Sequence, residues 1–543
     1  MLALLQDLSL LLVSANYMVG GYQFMKKRDI NFIFAVIVLI AMYLCSSCLS
    51  SVPYEGGSNS GSMTGPRASK GKTFKNTGGG RSNRNLGGGK RNTRSSSNGS
   101  VEQQLGLIKY DREKAWEGIT LFAPKHHTTT HLMDMDGRIL KTWNSRYEPG
   151  QSVYLLENGN LLHCCFTKGN RAFIGGGEGG RLEEFNWDGD LIWSTWYSDD
   201  KKLSHHDIEP LPNGNVLLMV VEIKTRAQCL EAGFSSRTLR SDKIFPEYIV
   251  EMERYGSNNF NEVWEWHIWD HLIQDVNKKK ANYGKPKEHP ELLNVNAGRR
   301  AAAFWNHANS IDYNPKFDQI ILNARGQNEF WVIDHTTTTE EAKGHTGGKY
   351  GKGGDILYRW GNPVMYGAGS TRSQKLFLQH DSQWIPDEYP GGGNILIYNN
   401  GKGRGYSSVD EIVVPVDENG FYPRLKPGEA YAPREQAWIF TTSPRRDMYS
   451  TEISGASRLP NGNTLVCAGT VGRFMEVTPE KDIVWEYVNP SCGNGPIRQG
   501  DRVPLDQRGH QMNAVFKVRR YPLDYPAFAG KNMTPIMETL IKQ

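Results

Sequence analysis

Short apolar runs broken by tight turns recur along the chain and pair into hairpins: YLLENGNLL (154–162), PLPNGNVLL (210–218), DYNPKFDQIIL (312–322), PDEYPGGGNILIY (386–398) and RLPNGNTLV (458–466). Asn-Gly between apolar segments marks a hairpin because both residues tolerate positive φ. MNAVFKV (512–518) reads as a sixth strand of this sort. Between the hairpins lies a second repeat, an acidic or glycine-containing turn followed by a Trp-bearing strand. Its copies are DGRILKTW (136–143), DGDLIWSTW (188–196), NEVWEW (261–266), GDILYRW (354–360), AWIF (437–440) and DIVWEY (482–487). Six copies of each element predict an all-β fold, a six-bladed β-propeller of four-stranded blades. Such a ring closes on itself and so protects strand edges that an open array would expose.

Two leftovers bear on closure. The strands before Trp143 have no hairpin upstream, and 512–518 has no Trp element downstream, so together they are expected to complete one blade and clasp the ring. The longest break in the rhythm, roughly residues 224–300, reads as an insertion crossing one face and shaping the mouth of the central funnel.

Composition fits this picture: 14 Trp, 24 Tyr and 20 Phe supply bulk for stacked sheets, and 58 Gly supply turns. The net charge of +5 is uneven, because residues 51–100 hold nine Lys or Arg against the single Glu55, which leaves residues 101–543 slightly acidic. With no basic excess on the folded part and no nucleic-acid motif, a nucleic-acid partner is not expected. Residues 51–105 are rich in Gly, Ser, Asn, Lys and Arg and poor in apolar residues, so they read as a disordered basic linker. Upstream, Met25-Lys26-Lys27-Arg28 precedes an apolar run from Phe32 to Leu44, the order of an export signal, and Cys45 and Cys48 follow at once. Residues 1–50 are therefore expected to act as a signal peptide or as a membrane or lipid anchor, with 1–24 an upstream extension. This places the folded domain, 106–543, in the periplasm or tethered outside the cytoplasm. The remaining cysteines, Cys164, Cys165, Cys229, Cys467 and Cys492, form no CxxC pair, which excludes a dense disulfide framework and leaves room for one bridge of unassigned pairing.

Candidate chemistry sits at the start of the hairpins. His205-His206-Asp207, His307-Ala308-Asn309-Ser310, His380-Asp381-Ser382 and Ser454-Gly455 occupy matched positions in four repeats. In a propeller the innermost strands line the axis, so these positions converge on one pocket. A lone strand histidine is ordinarily structural, but three at matched positions argue for function. Zinc is the rival occupant of a three-histidine cluster, and it is disfavoured because Arg325, in ILNARGQNEF, joins the same group. Neither a metal nor a cofactor is expected there. Arg325 presents a planar guanidinium suited to a tetrahedral oxyanion. Thr470, in CAGTVGRF, holds a similar place in the later repeat. The cluster HHTTTH (126–131) reads as an exposed outer strand and turn.

Five segments taken together, LFAPKHHTTTHLMDMDGRILKTW, HHDIEPLPNGNVLL, FWNHANSIDY, LNARGQNEFWVIDH and QHDSQWIPDEYPGGGNILIYNNG, resemble the bacterial periplasmic aryl sulfotransferases over roughly residues 115–490. The resemblance implies a propeller that moves a sulfuryl group from a phenolic sulfate donor to a phenolic acceptor without a nucleotide donor. It implies a sulfohistidine intermediate on His380, with His307 and Asn309 as the family's His-x-Asn pair and Arg325 as its sulfate-binding arginine. One of His205 and His206 is the remaining histidine, His206 being favoured, and Thr470 matches the family threonine. His206 or His307 would serve as acid and base, and His205 would join Asn309, Arg325 and Thr470 in binding substrate. A short-range disulfide found near the nucleophile in some members has no matching cysteine pair here. Two other readings compete: a surface propeller that binds sulfated or anionic ligands without turnover, and a hydrolase or metal-dependent lyase, for which no acidic ligand set is evident.

Overall fold

The computed structural model describes residues 104–173, 175–298, 302–507 and 509–543. The expected signal or anchor segment, and the linker up to residue 103, lie outside them. Six antiparallel sheets of the described strands are arranged as the blades of a β-propeller, and three two-stranded ladders lie outside them. From axis to rim, the first blade comprises Arg519–Tyr521, Ile119–Phe122, Thr129–Met133 and Ile139–Asn144; the second Glu148–Leu155, Leu161–Phe166, Gly180–Phe185 and Leu191–Trp196; and the third Lys202–Pro210, Val216–Glu222, Glu247–Tyr255 and Asn259–His267. The fourth comprises Ala308–Asn314, Gln319–Ala324, Glu329–Asp334 and Tyr358–Trp360; the fifth His380–Trp384, Ile395–Asn399, Ser408–Ile412 and Trp438–Phe440; and the sixth Gly455–Arg458, Thr464–Ala468, Arg473–Val477 and Ile483–Val488. The expected hairpins join the first and second strands, and every Trp-bearing repeat is a fourth strand. Among the described residues no helix is long and apolar enough to cross a membrane.

The Trp repeat has a physical cause. One outer-strand indole N–H in each blade donates to the neighbouring blade: Trp143 to the Asn186 carbonyl at 3.0 Å, Trp193 to that of Asn259 at 3.1 Å, and Trp264 to the Thr337 hydroxyl at 3.2 Å. The series continues with Trp360 to Pro433 at 2.7 Å, Trp438 to Pro479 at 2.9 Å and Trp485 to Met135 at 2.8 Å, the last returning from the sixth blade to the first. A buried indole must satisfy its one donor. Here it does so across the seam it also fills, so one residue type per blade both packs and pins the ring.

Both termini close the ring, though not quite as expected. The closing ladder is Arg519–Tyr521, paired with Ile119–Leu121, rather than 512–518, of which Val515 alone bridges to Pro124. Residues 512–518 instead bond to the sixth blade, the Phe516 carbonyl accepting the Ser454 N–H at 2.9 Å and the Val515 N–H donating to the Gly469 carbonyl at 3.0 Å. At the other end Gly106–Tyr110 adds a fifth strand outside Ile483–Val488. Buried Arg520 of the closing strand bonds Thr120 of the first blade and Glu476 of the sixth, a salt bridge fully withdrawn from solvent.

Two further expectations change. The break at 224–300 is two insertions, separated by blade strands that include the NEVWEW repeat. One lies between the second and third strands of the third blade and contains the helix Arg226–Glu231; the other links the third and fourth blades. Of the HHTTTH cluster, His131 is buried rather than exposed, packed at 5.2 Å from the Phe122 ring, because the third strand of the first blade is covered on both faces. All five cysteines of the described part are free and buried.

Trp485 carries the last seam. Trp485→Phe keeps the aromatic bulk and leaves the Met135 carbonyl without its donor, which should cost about 1–3 kcal/mol in urea unfolding. The same change at half-buried Trp438 should cost distinctly less.

Candidate active site

The innermost strands break register where the histidines stand. Leu218 pairs with Ile208 but Val220 with Ser204, Ala308 pairs with Ala324 but Ile311 with Leu322, and His380 pairs with Tyr398 but Gln383 with Leu396. At or beside each break a non-glycine residue takes a left-handed conformation: His206 at φ +55°, His307 at +45° and Asp381 at +55°, with Ser454 at +86° in the next blade. Such bulges turn a strand locally and re-aim its side chains. Here they turn polar side chains toward the axis.

The result is a cluster of imidazoles. The His206 and His307 rings lie 5.0 Å apart, edge to face. His205 stands behind His206, its Nδ1 2.8 Å from that of its neighbour, so His206 is the one facing His307. Gly177 makes room for it, since a Cβ there would fall inside the His206 ring. His380 has a defined tautomer. The Asn400 amide donates to the carbonyls of Ser450 and Ile453, so its oxygen faces His380 Nδ1 at 2.7 Å and that nitrogen carries the proton. Nε2 therefore holds the lone pair, and it accepts the Ile453 N–H at 3.1 Å. Ile453, β-branched, sits at φ +51°, a strained conformation beside the lone pair.

Arg325 begins a 3-10 turn after the second strand of the fourth blade, and its positive charge acts on His206, His307 and His380 alike. Together with His307 it borders a cavity of about 340 Å³, also lined by Phe304, Trp305, Leu378 and Lys402. The cavity thus offers two cations and two aromatic side chains, and of the candidate histidines His307 lines it. Phe304 and Trp305 come from the segment that links the third and fourth blades, just past the expected limit of the insertion near residue 300.

Other predicted residues stand further back. The Asn309 amide donates to the Gln379 carbonyl at 3.0 Å, fixing the backbone just before His380. Thr470 bonds the Ser450 hydroxyl at 2.8 Å, on the far side of Asn400 from His380. Below the imidazoles Lys517 forms a floor, 2.8 Å from Asp207 and 3.2 Å from Asp381, the residues that follow His206 and His380. A larger cavity of about 750 Å³ opens at the hairpin end of the channel, lined by Glu209, Asp312 and Arg519, and it touches none of the candidate histidines.

Asn400, Ile453, Lys402 and Lys517 escaped the sequence reading. A signal existed for one of them. The position just after the second strand supplies Arg325 in the fourth blade, Asn400 in the fifth and the Gly469–Val471 turn bearing Thr470 in the sixth.

Electrostatically the cluster is held neutral. Burial brings His205 down to about 3, and burial with the nearby Arg325 charge does the same for His307. His206 and His380 are held well below the usual imidazole range, by burial first, with His307 and Arg325 respectively the next largest causes. At neutral pH these rings are unprotonated and carry available lone pairs.

No curated protein matches the chain. Solved structures show a distant likeness at low identity. A protein of unknown function from Bacteroides caccae has 11% identity and a TM-score of 0.37, covering 75% of this chain and 99% of its own. Virginiamycin B lyase from Staphylococcus aureus has 10% identity and a TM-score of 0.32, covering 71% of this chain and 84% of its own. The sequence itself matches a defined family across residues 107–491, a span that runs from the outer clasp strand to the end of the sixth blade and takes in every residue of the imidazole cluster. The chain belongs to the arylsulfotransferase (ASST) family of sulfotransferases.

Proposed function

We propose that this protein transfers a sulfuryl group between phenols through a sulfohistidine on His380. The observation that carries the reading is the tautomer of His380, which pins Nδ1–H against Asn400 and leaves the lone pair on Nε2, where the Ile453 N–H meets it. Neutral imidazole is the nucleophilic form, and a covalent intermediate divides one difficult transfer into two easier ones.

In the first step Nε2 attacks sulfur in line with the ester bond. The N–S bond forms as the S–O bond breaks, and the phenolic oxygen leaves with the electron pair. The Ile453 N–H must yield Nε2 as the ester seats. Arg325 and Lys402 offset the charge of the sulfate oxygens and of the departing phenolate, the dominant protein contribution in transfers of this kind. Phe304 and Trp305 offer their faces to the aryl ring. An anionic ester also supplies the opposite charge that the empty cluster lacks, which raises the basicity of His307 and His206. One of them then takes the proton of the incoming phenol, whose oxygen displaces Nε2 from sulfur and restores neutral His380. Asn309, Thr470 and Lys517 act by position: they hold Gln379, the Ser450–Asn400 pair and the two bulges. The same reading places the domain outside the cytoplasm, carried by the export-like segment upstream.

His380→Asn should lower transfer from a chromogenic aryl sulfate to phenol by roughly 10³-fold or more, and retained transfer would remove the mechanism. Arg325→Lys keeps the charge but loses the planar fork, and should cost roughly 10²-fold. The pH dependence of the donor half-reaction, read as a single-turnover burst without added phenol, follows from the depressed imidazoles. At subsaturating donor the burst reports the free protein, in which burial holds His380 well below the usual imidazole range and His307 at about 3, so its rate should hold from pH 8 to about pH 5, whereas an unperturbed histidine would titrate near 6.5. An inflection at that point would contradict a neutral buried nucleophile.

A further inference from the structure

We propose a second, non-catalytic site: His271, His345 and Asp355 bind a zinc-class divalent ion at the rim between the third and fourth blades. The Asp355 carboxylate oxygen Oδ1 lies 2.9 Å from His271 Nδ1 and 2.7 Å from His345 Nδ1. Three ligand atoms, one from His271 and two from the ends of a single loop, therefore meet within 4.8 Å of one another.

The other nitrogen of His271 fixes how the ring is presented. Its Nε2 lies 2.9 Å from the Ala342 carbonyl, which can only accept, so Nε2 carries a proton and the ring is oriented by the backbone. Nδ1 is thereby turned to the Asp355 oxygen that also faces His345, the side of the ring on which an ion would be held. Two imidazoles and one carboxylate, with a fourth position left to water, form a donor set that suits zinc and its neighbours.

The surroundings hold the ligands in place. The Trp266 ring stacks on His271 at 5.6 Å and 8°, and its indole donates to the Gly354 carbonyl at 2.6 Å, one residue before Asp355. A Cβ on Gly354 would stand 2.0 Å from the Ala342 oxygen and 2.7 Å from His271 Nε2, so the chain can approach the ring this closely only as glycine. The segment GHTGGKYGKGGD (344–355) is costly to order because of its glycines, and four of them, Gly347, Gly348, Gly351 and Gly353, take positive φ. An ion joining its two ends to His271 is a physical means of fixing it.

The other cluster of this type, His163, Cys165 and Glu183, is weaker. Both Glu183 oxygens are already engaged, one by the Ser145 hydroxyl at 2.7 Å and the other by Arg181 at 2.9 Å. A rival account of the rim cluster uses Lys352, whose ammonium feels the charges of Glu291 and Asp355 and could itself balance the carboxylate.

The test is metal content and zinc titration against a chromophoric chelator, on the full chain and on variants. The proposal predicts one tightly held zinc-class ion per chain, with a melting temperature that falls on chelation and recovers on adding zinc. Asp355→Asn and His345→Ala should weaken binding at least ~100-fold, and Lys352→Met should leave it intact. His345 is the safer change for folding, since its side chain is 58% exposed. Absence of tight zinc binding in the parent protein would overturn the proposal. So would binding that survives Asp355→Asn and His345→Ala but is lost in Cys165→Ser, which would assign the ion to the other cluster. The readouts do not involve sulfuryl transfer, so this inference and the proposed function fail separately.

Discussion

A β-strand alternates its side chains between the two faces of its sheet, so none points naturally along the inner edge where a propeller keeps its axis. Bringing polar groups to that axis requires breaking the alternation. The register breaks at His206, beside His307 and at His380–Gln383 do this, each with a left-handed residue held against its preference. Strain of this kind, about 1–3 kcal/mol per residue, persists only where surrounding structure over-determines the conformation. The carboxylates of Asp207 and Asp381, bonded to one buried Lys517, are part of that restraint: they tie two bulges to the segment that closes the ring. Ring closure and the geometry of the imidazoles are therefore one structural problem.

The seams serve the same end. Each blade meets its neighbour through an indole that fills the gap and spends its only donor across it, and the closing strand adds the buried Arg520–Glu476 pair. A ring pinned at every rim can support strained inner strands without opening. It also tolerates two insertions in and after one blade, and the second of these carries Phe304 and Trp305 to the cavity wall.

Much of this was legible in the chain. Hairpin turns and Trp strands carry local chemical signatures, Asn-Gly for positive φ and one indole per seam, so blade number and strand order followed from counting. Matched His positions also pointed correctly to a common cluster, because sequence position within a repeat maps onto height along the axis. What could not be read depends on contacts between distant segments. Nothing near Lys517 marks it as a partner of Asp207 and Asp381, and the tautomer of His380 depends on Asn400, whose own orientation is set by carbonyls fifty residues further on. The resemblance made Asn309 a substrate ligand through the family's His-x-Asn pair, and the contact it makes with the Gln379 carbonyl could not be read from that pattern. The burial of His131 was missed because threonines suggest an exposed edge, while the fold covers both faces of that strand.

A neutral, buried imidazole with a fixed lone pair under the charge of Arg325 is the centre of the account. Its most direct test is mass spectrometry of the peptide bearing His380 after brief exposure of the intact protein to an aryl sulfate with no acceptor present. The account predicts one added sulfuryl group on that peptide, labile to acid and discharged by phenol. Release of the aryl product with the group absent from His380, or found on a different residue, would contradict it.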